Sequence, residues 1–204
     1  MLLVSDEKDD LRVNMWAIGL LSRRIVVRKT GWWRNFSLSS KETIEVVNKL
    51  LKYEDNHILV VYKPPRLLVH SDFTKEENLL DMLKVYIKHK YNKPGEVYLG
   101  VVHRIDYPCS GLLVFAKTSK AASRLSESFK SHSIHKNYIA LVQGEMLGSG
   151  ELHHLLETDA PATQSVYRRK PSVLPPVKEA RLKYQSLGTL SMHGKIYAIL
   201  VMIL

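Results

Sequence analysis

Nine residues, His103-Arg104-Ile105-Asp106-Tyr107-Pro108-Cys109-Ser110-Gly111, separate two short apolar runs, Val97–Val102 and Leu112–Ala116. Apolar runs this short, bounded by proline and glycine, have the length of strands rather than helices. The block therefore demands a strand-loop-strand unit. A loop that sets a carboxylate beside an arginine, with proline and glycine fixing the backbone, holds a reactive group rigidly at the rim of a sheet. Asp106 then fits a nucleophile or a base, Arg104 a phosphate or base contact, and His103 a hydrogen-bonding support. The same residues also fit an ordinary turn in which Asp106 caps the backbone and pairs with Arg104.

The surrounding pattern is that of an α+β fold. Ile58 to Lys63 reads as a strand stopped by Pro64 and Pro65, and Leu67 to Val69 as a second strand beyond a rigid proline turn. Thr74 and Glu77 form a T-x-x-E capping box ahead of a helix with Leu79, Leu80, Leu83, Tyr86 and Ile87 at the helical period, ended by Pro94 and Gly95. Thr118 or Ser119 caps a further helix with Ala122, Leu125 and Phe129 on one face. Tyr138 to Val142 returns to strand character and stops at Gly144. The polar stretch from Gly148 to Pro176 is expected to be functional or partly disordered. Ala180, Leu182 and Tyr184 alternate with polar residues as a half-exposed strand, and Ile196 to Leu204 reads as a buried one.

Composition narrows the function. The chain has 204 residues, 30 of them Lys or Arg against 20 Asp or Glu, for a formal charge of +10. That length supports a real core, and the charge suits a polyanionic partner. Its single cysteine, Cys109, excludes an intramolecular disulfide and a four-cysteine zinc site. The apolar run at Ile196 to Leu204 is far shorter than the roughly 20 residues of a membrane span. His132 with His135, or His153 with His154, offers no convincing third and fourth ligand, so no metal is expected. A hydrolase using Cys109 and His103 would need a depressed thiol pKa and an oxyanion hole. Residues 1–41 read as a basic arm or a targeting leader. From Leu11 to Lys41 there is no acidic residue, and Arg23, Arg24, Arg28, Lys29 and Arg34 are interleaved with apolar side chains. Mitochondrial import reads such a leader, although the same charges suit an arm resting on RNA in the cytoplasm or nucleus. Arg168 to Lys170 offers a candidate backbone contact to nucleic acid.

The segment HRIDYPCSGLLVFAK resembles the HRLDxxTSGLLLFAK signature of the RluA-type pseudouridine synthases. Two further elements occur in the family's order. Val60 to His70 resembles its KPxGLLVH element, and Lys136 to Gly144 its KxYxALVxG element. The resemblance covers residues 54–204. It implies an α+β catalytic domain with a mixed, mainly antiparallel sheet and flanking helices, and an isomerase that turns uridine into pseudouridine in structured ribosomal or transfer RNA. Uracil leaves C1′ of its ribose, turns, and rejoins through C5. No atom is gained or lost, and no cofactor is implied. Asp106 carries over as the catalytic residue, either attacking C1′ or removing a ribose proton. Tyr138 carries over as the tyrosine that stacks on the extruded base, and Arg104 as the residue that fills the gap left behind. His103 is expected to support the loop, and Lys63 to be an RNA contact or the surface end of a strand. A monomer bound to RNA, with no membrane partner, is the expected assembly.

Three departures accompany the resemblance. Ile105 replaces leucine and Cys109 replaces threonine, both mild changes. The family's TGRxHQIR-like element, whose arginine pairs with the catalytic aspartate, would follow the strand at Ile196 to Leu204. Its lack here makes a truncated form the expectation, with a core strand left as an exposed edge. A non-catalytic RNA-binding protein on the same scaffold is the competing expectation.

Overall fold

The computed structural model describes residues 39–71, 77–158, 165–167 and 178–204. The basic stretch up to residue 38, Thr74 of the expected capping box, and Arg168 to Lys170 lie outside the described residues. The described residues divide into two compact units, 39–134 and 135–204.

The first unit opens with a helix the sequence pattern did not reveal, α1 (Ser40–Leu50). Ser39 caps it reciprocally with Glu42, accepting from the Glu42 amide at 3.4 Å and donating its own amide to Oε2 at 2.9 Å. Ser40 and Lys41, expected to belong to the basic arm, are thus already helical. Strand β1 (Leu51–Glu54) follows, also unforeseen, then β2 (Ile58–Lys63). Helix α2 (Leu79–Lys90) buries Leu79, Met82, Leu83, Tyr86 and Ile87 on one face. Its cap is Asn78, not the expected Thr74, and the Asn78 side chain accepts from the Asp81 amide at 3.1 Å. Strands β3 (Gly100–Val101) and β4 (Gly111–Ala116) precede α3 (Ser119–Lys130), capped by Thr118.

The strands pair antiparallel in the order β1-β2-β4-β3. Alternation buries Leu59 and Val61 of β2 and Leu113 and Phe115 of β4, which join Val47 of α1 and the α2 face in one core. Two sequence expectations shrink here. Leu67 to Val69 is no strand, having only an isolated bridge between Leu68 and Asn78. Of Val97 to Val102, only Gly100 and Val101 pair. Val97 and Leu99 are nevertheless buried, so their apolar character serves packing and not a ladder.

An ion network ties the periphery of this unit together. Glu54, at the end of β1, accepts from Lys117 at 2.8 Å, Lys90 at 2.7 Å, Tyr91 at 2.7 Å and Tyr86 at 3.0 Å. Burial alone would raise the Glu54 pKa. The bonds from Lys117, Lys90, Tyr91 and Tyr86 outweigh it and lower the value to about 2.

The second unit is a five-stranded antiparallel sheet of β5 (Asn137–Gln143), β6 (Ser149–Thr158), β7 (Ser165–Tyr167), β8 (Lys178–Met192) and β9 (Lys195–Ile203). Its order is β5-β9-β8-β6-β7. Strand β9 therefore lies between β5 and β8, contrary to the expected exposed edge. Ala198, Leu200 and Met202 on one face are inside, Tyr197, Ile199 and Val201 on the other are half-buried, and the strand ends at Ile196 and Ile203 are exposed. Of the polar stretch from Gly148 to Pro176, β6 and β7 are described. Strand β6 pairs along β8 from Ser149 opposite Gln185 to Leu156 opposite Lys178. The β8–β9 hairpin turns at His193 and Gly194, with φ of 53° and 72°. Two consecutive positive φ values give the twist that such two-residue hairpins need.

Candidate active site

The parity of β2 decides what the first unit can build. The alternation that buries Leu59 and Val61 carries the side chain of Lys63 inward as well, leaving it 0% exposed. Its Nζ donates to three carbonyl oxygens: Leu67 at 2.9 Å, Pro64 at 3.1 Å and Tyr107 at 3.3 Å. An ammonium has three donors, and each is used within the protein. Lys63 is therefore neither an RNA contact nor the surface end of a strand. It closes the turn at Pro64 to Leu67 and fastens that turn to the residue after Asp106. Burial pulls its pKa down to about 8, partly offset by the charges of Cys109 and Asp106.

The Tyr107 carbonyl also accepts from the backbone amide of Arg66 at 2.7 Å. The loop closes on itself where the Cys109 amide donates to the Asp106 carbonyl at 3.0 Å. Backbone and buried ammonium thus hold both sides of Asp106, while its own residue stays exposed at the surface. Arg104 is exposed too, and among the described residues it forms no ion pair with Asp106. The ordinary turn pairing those two residues is not what forms.

His103 bridges β4 and α3. Strand β3 ends at Val101, so the amide of Val114 on β4 has no ladder partner on that side. The Nε2 of His103 accepts from it at 3.0 Å, while the ring stacks on Phe129 of α3 with centroids 4.5 Å apart. A ring nitrogen that accepts a backbone amide carries no proton. Beside it, His70, Val101, Val102, His103 and Arg104 line an open pocket of about 360 Å³.

The hydrolase alternative finds no support in this geometry. Burial and the charge of Asp106 push the Cys109 thiol up, opposite to what a nucleophilic thiolate needs. Among the described residues, no group of three or more His, Cys, Asp or Glu side chains gathers as a metal site would require. No helix among them is long and apolar enough to cross a membrane.

Tyr138 belongs to the second unit. It lies on β5 opposite Met202 and packs half-buried against the cluster of Ala140, Val142, Ala198, Leu200 and Met202. Of the expected site residues, Lys63, His103, Arg104 and Asp106 lie together in the first unit, and Tyr138 lies in the second.

One residue escaped the sequence reading. Arg66 has φ +63°, in the left-handed region that disfavours any side chain with a Cβ by about 1–2 kcal/mol. It occupies the glycine position of the KPxGLLVH element, and an arginine in that place was the available signal.

A sequence model of the RNA pseudouridylate synthase family matches residues 57–196. The chain is 39% identical over 125 residues to ribosomal large subunit pseudouridine synthase D of Zymomonas mobilis, covering 60% of this chain and 38% of that protein. It is 30% identical over 105 residues to tRNA pseudouridine synthase C of Haemophilus ducreyi, covering 52% and 41%. The chain thus spans about two-fifths of the length of these relatives. The fold is similar to that of human RNA pseudouridylate synthase domain containing 4, with a TM-score of 0.60 at 19% identity over 80% of this chain and 62% of that one.

Proposed function

The chain belongs to the RNA pseudouridylate synthase family, of the RluA type, and from that membership we propose that it isomerises uridine to pseudouridine in structured ribosomal or transfer RNA with Asp106 as the catalytic carboxylate. The observation that carries the reading is the mounting of Asp106. Its loop is exposed to substrate, yet the carbonyl next to it is held by Lys63 and Arg66. A loop so fixed presents its carboxylate to a nucleoside with little backbone reorganisation.

In this reading the target uridine leaves its stack at a cost of about a few kcal/mol and presents its ribose to Asp106. The N1–C1′ bond breaks as the carboxylate either attacks C1′ to form an ester or takes a ribose proton to give a glycal. Uracil turns and C5 bonds to C1′ as the ester bond breaks or the ribose proton is returned; the C5 proton is released and N1 gains one. Arg104 fills the gap in the RNA, and Tyr138 stacks on the base. His103, which accepts from the Val114 amide, supports the loop. The positive charge of the chain supplies salt-sensitive, shape-driven affinity for folded RNA.

Tritium release from a transcript labelled at C5 of uridine tests the reading. The unaltered protein is expected to release tritium and Asp106→Ala to release none. Binding of RNA by both with turnover by neither would replace the enzyme with a non-catalytic RNA-binding protein on the same scaffold. The acid-poor segment from Leu11 to Lys41 supports mitochondrial import as part of the proposal, and a reporter fused to residues 1–41 that stays outside mitochondria would remove it.

A further inference from the structure

We propose that Arg66 is an RNA phosphate contact set beside the catalytic loop, a residue-level extension that rests on the reading of this chain as an RNA-modifying protein. Its backbone is held in the left-handed region at φ +63°, where glycine would sit without strain. Its guanidinium is exposed and, among the described residues, forms no hydrogen bond or ion pair. Nothing in the described fold compensates for putting an arginine there.

The mount of Arg66 is rigid. Pro64 and Pro65 precede it, Lys63 closes the turn beneath it through Pro64 and Leu67, and its own amide is bonded to the Tyr107 carbonyl at 2.7 Å. The side chain is therefore anchored at a fixed place one hydrogen bond from the residue that follows Asp106. Arg104, also exposed, precedes Asp106 by two residues. Two exposed arginines, neither with a side-chain partner among the described residues, thus lie on the backbone segments next to Asp106. The planar fork of arginine binds phosphate oxygens in pairs, and one on a stiff turn loses little freedom in doing so. The class of ligand is the ribose-phosphate backbone next to the nucleotide presented to Asp106.

Binding of a fluorescein-labelled, unmodified transfer RNA transcript, measured against salt concentration, tests this independently of turnover. Arg66→Gly relieves the backbone, so its melting temperature is expected to be unchanged or higher. Its RNA affinity is expected to fall about threefold to tenfold, and the slope of log affinity against log salt to shrink by about one. Arg66→Lys keeps the charge and is expected to keep the slope. If Arg66→Gly binds with the same affinity and slope as the unaltered protein, the inference is overturned, and it is equally overturned if the unaltered protein does not bind the transcript. Binding with the expected slope but no tritium release would leave this contact standing while removing the proposed isomerase.

Discussion

The ammonium of Lys63 and the carbonyl of Tyr107, 44 residues apart in sequence, meet at 3.3 Å. That contact joins the proline turn after β2 to the loop that carries Asp106, and it places a cation within electrostatic range of the carboxylate.

Replacing Lys63 by methionine removes the tie while filling the space. Turnover is expected to fall at least tenfold in a protein that still folds, because the loop loses one of the two donors to Tyr107. The pH dependence has a definite sign. Since the folded pKa is lowered to about 8 from 10.5, the unfolded chain binds more protons between these values. Stability contributed by this group therefore rises as pH increases from 8 to 10.5. Urea denaturation at pH 7 and pH 10 should show that rise in the unaltered protein and not in Lys63→Met. Equal pH responses would refute the burial of a charged amine.

Glu54→Gln is expected to destabilise the first unit by about 3 kcal/mol, because two lysines lose their shared carboxylate. The folded pKa of Glu54 is lowered to about 2, so its contribution is fully present above the unfolded value and disappears as pH falls through 2. Denaturation midpoints of the unaltered protein should decline across that acid range, and those of the variant should lack this component.

His103→Phe preserves a ring beside Phe129 but offers no acceptor to Val114. A loss of about 1–2 kcal/mol is expected for the orphaned amide. Hydrogen exchange read at the Val114 amide should accelerate in the variant, along with slower turnover from a looser loop. Unchanged protection at Val114 would mean that another group satisfies it.

In the second unit, a Cβ at Gly150 would stand 2.6–2.8 Å from the ring and hydroxyl of Tyr184, its cross-strand partner. Gly150→Val is expected to cost about 1–3 kcal/mol. Tyr184→Ala should relieve part of that loss, and a double-mutant cycle measures the coupling. Additive effects would show that the ring yields freely.

Strands β2, β4 and β5 and helix α3 were readable from their residues, because each carries an apolar pattern of the right period between clear breaks. Strand β1 carries Lys52, Tyr53 and Glu54, and β6 carries Glu151, His153 and His154, so neither announces a ladder. Both take their strand conformation from a partner, β2 or β8, whose pairing no local pattern displays. Helix α1 was hidden by its polarity, with only Thr43 and Val47 buried. The site was readable in type but not in arrangement. Asp106 and Arg104 stood out as a loop pair, whereas a lysine at a strand end suggests solvent until its parity with Leu59 and Val61 is counted.

The placement of β9 has a consequence for synthesis. Strand β5 leaves the ribosome first among the five, yet its ladder neighbour among the described residues, β9, is made after β6, β7 and β8. Until then its inward residues Ala140 and Val142 lack the β9 residues they pack against, whereas the described strands of the first unit all precede β5. Nascent chains should accordingly acquire protease resistance in two stages, with the later stage waiting for β9 and the interval between them the period of greatest exposure to chaperones.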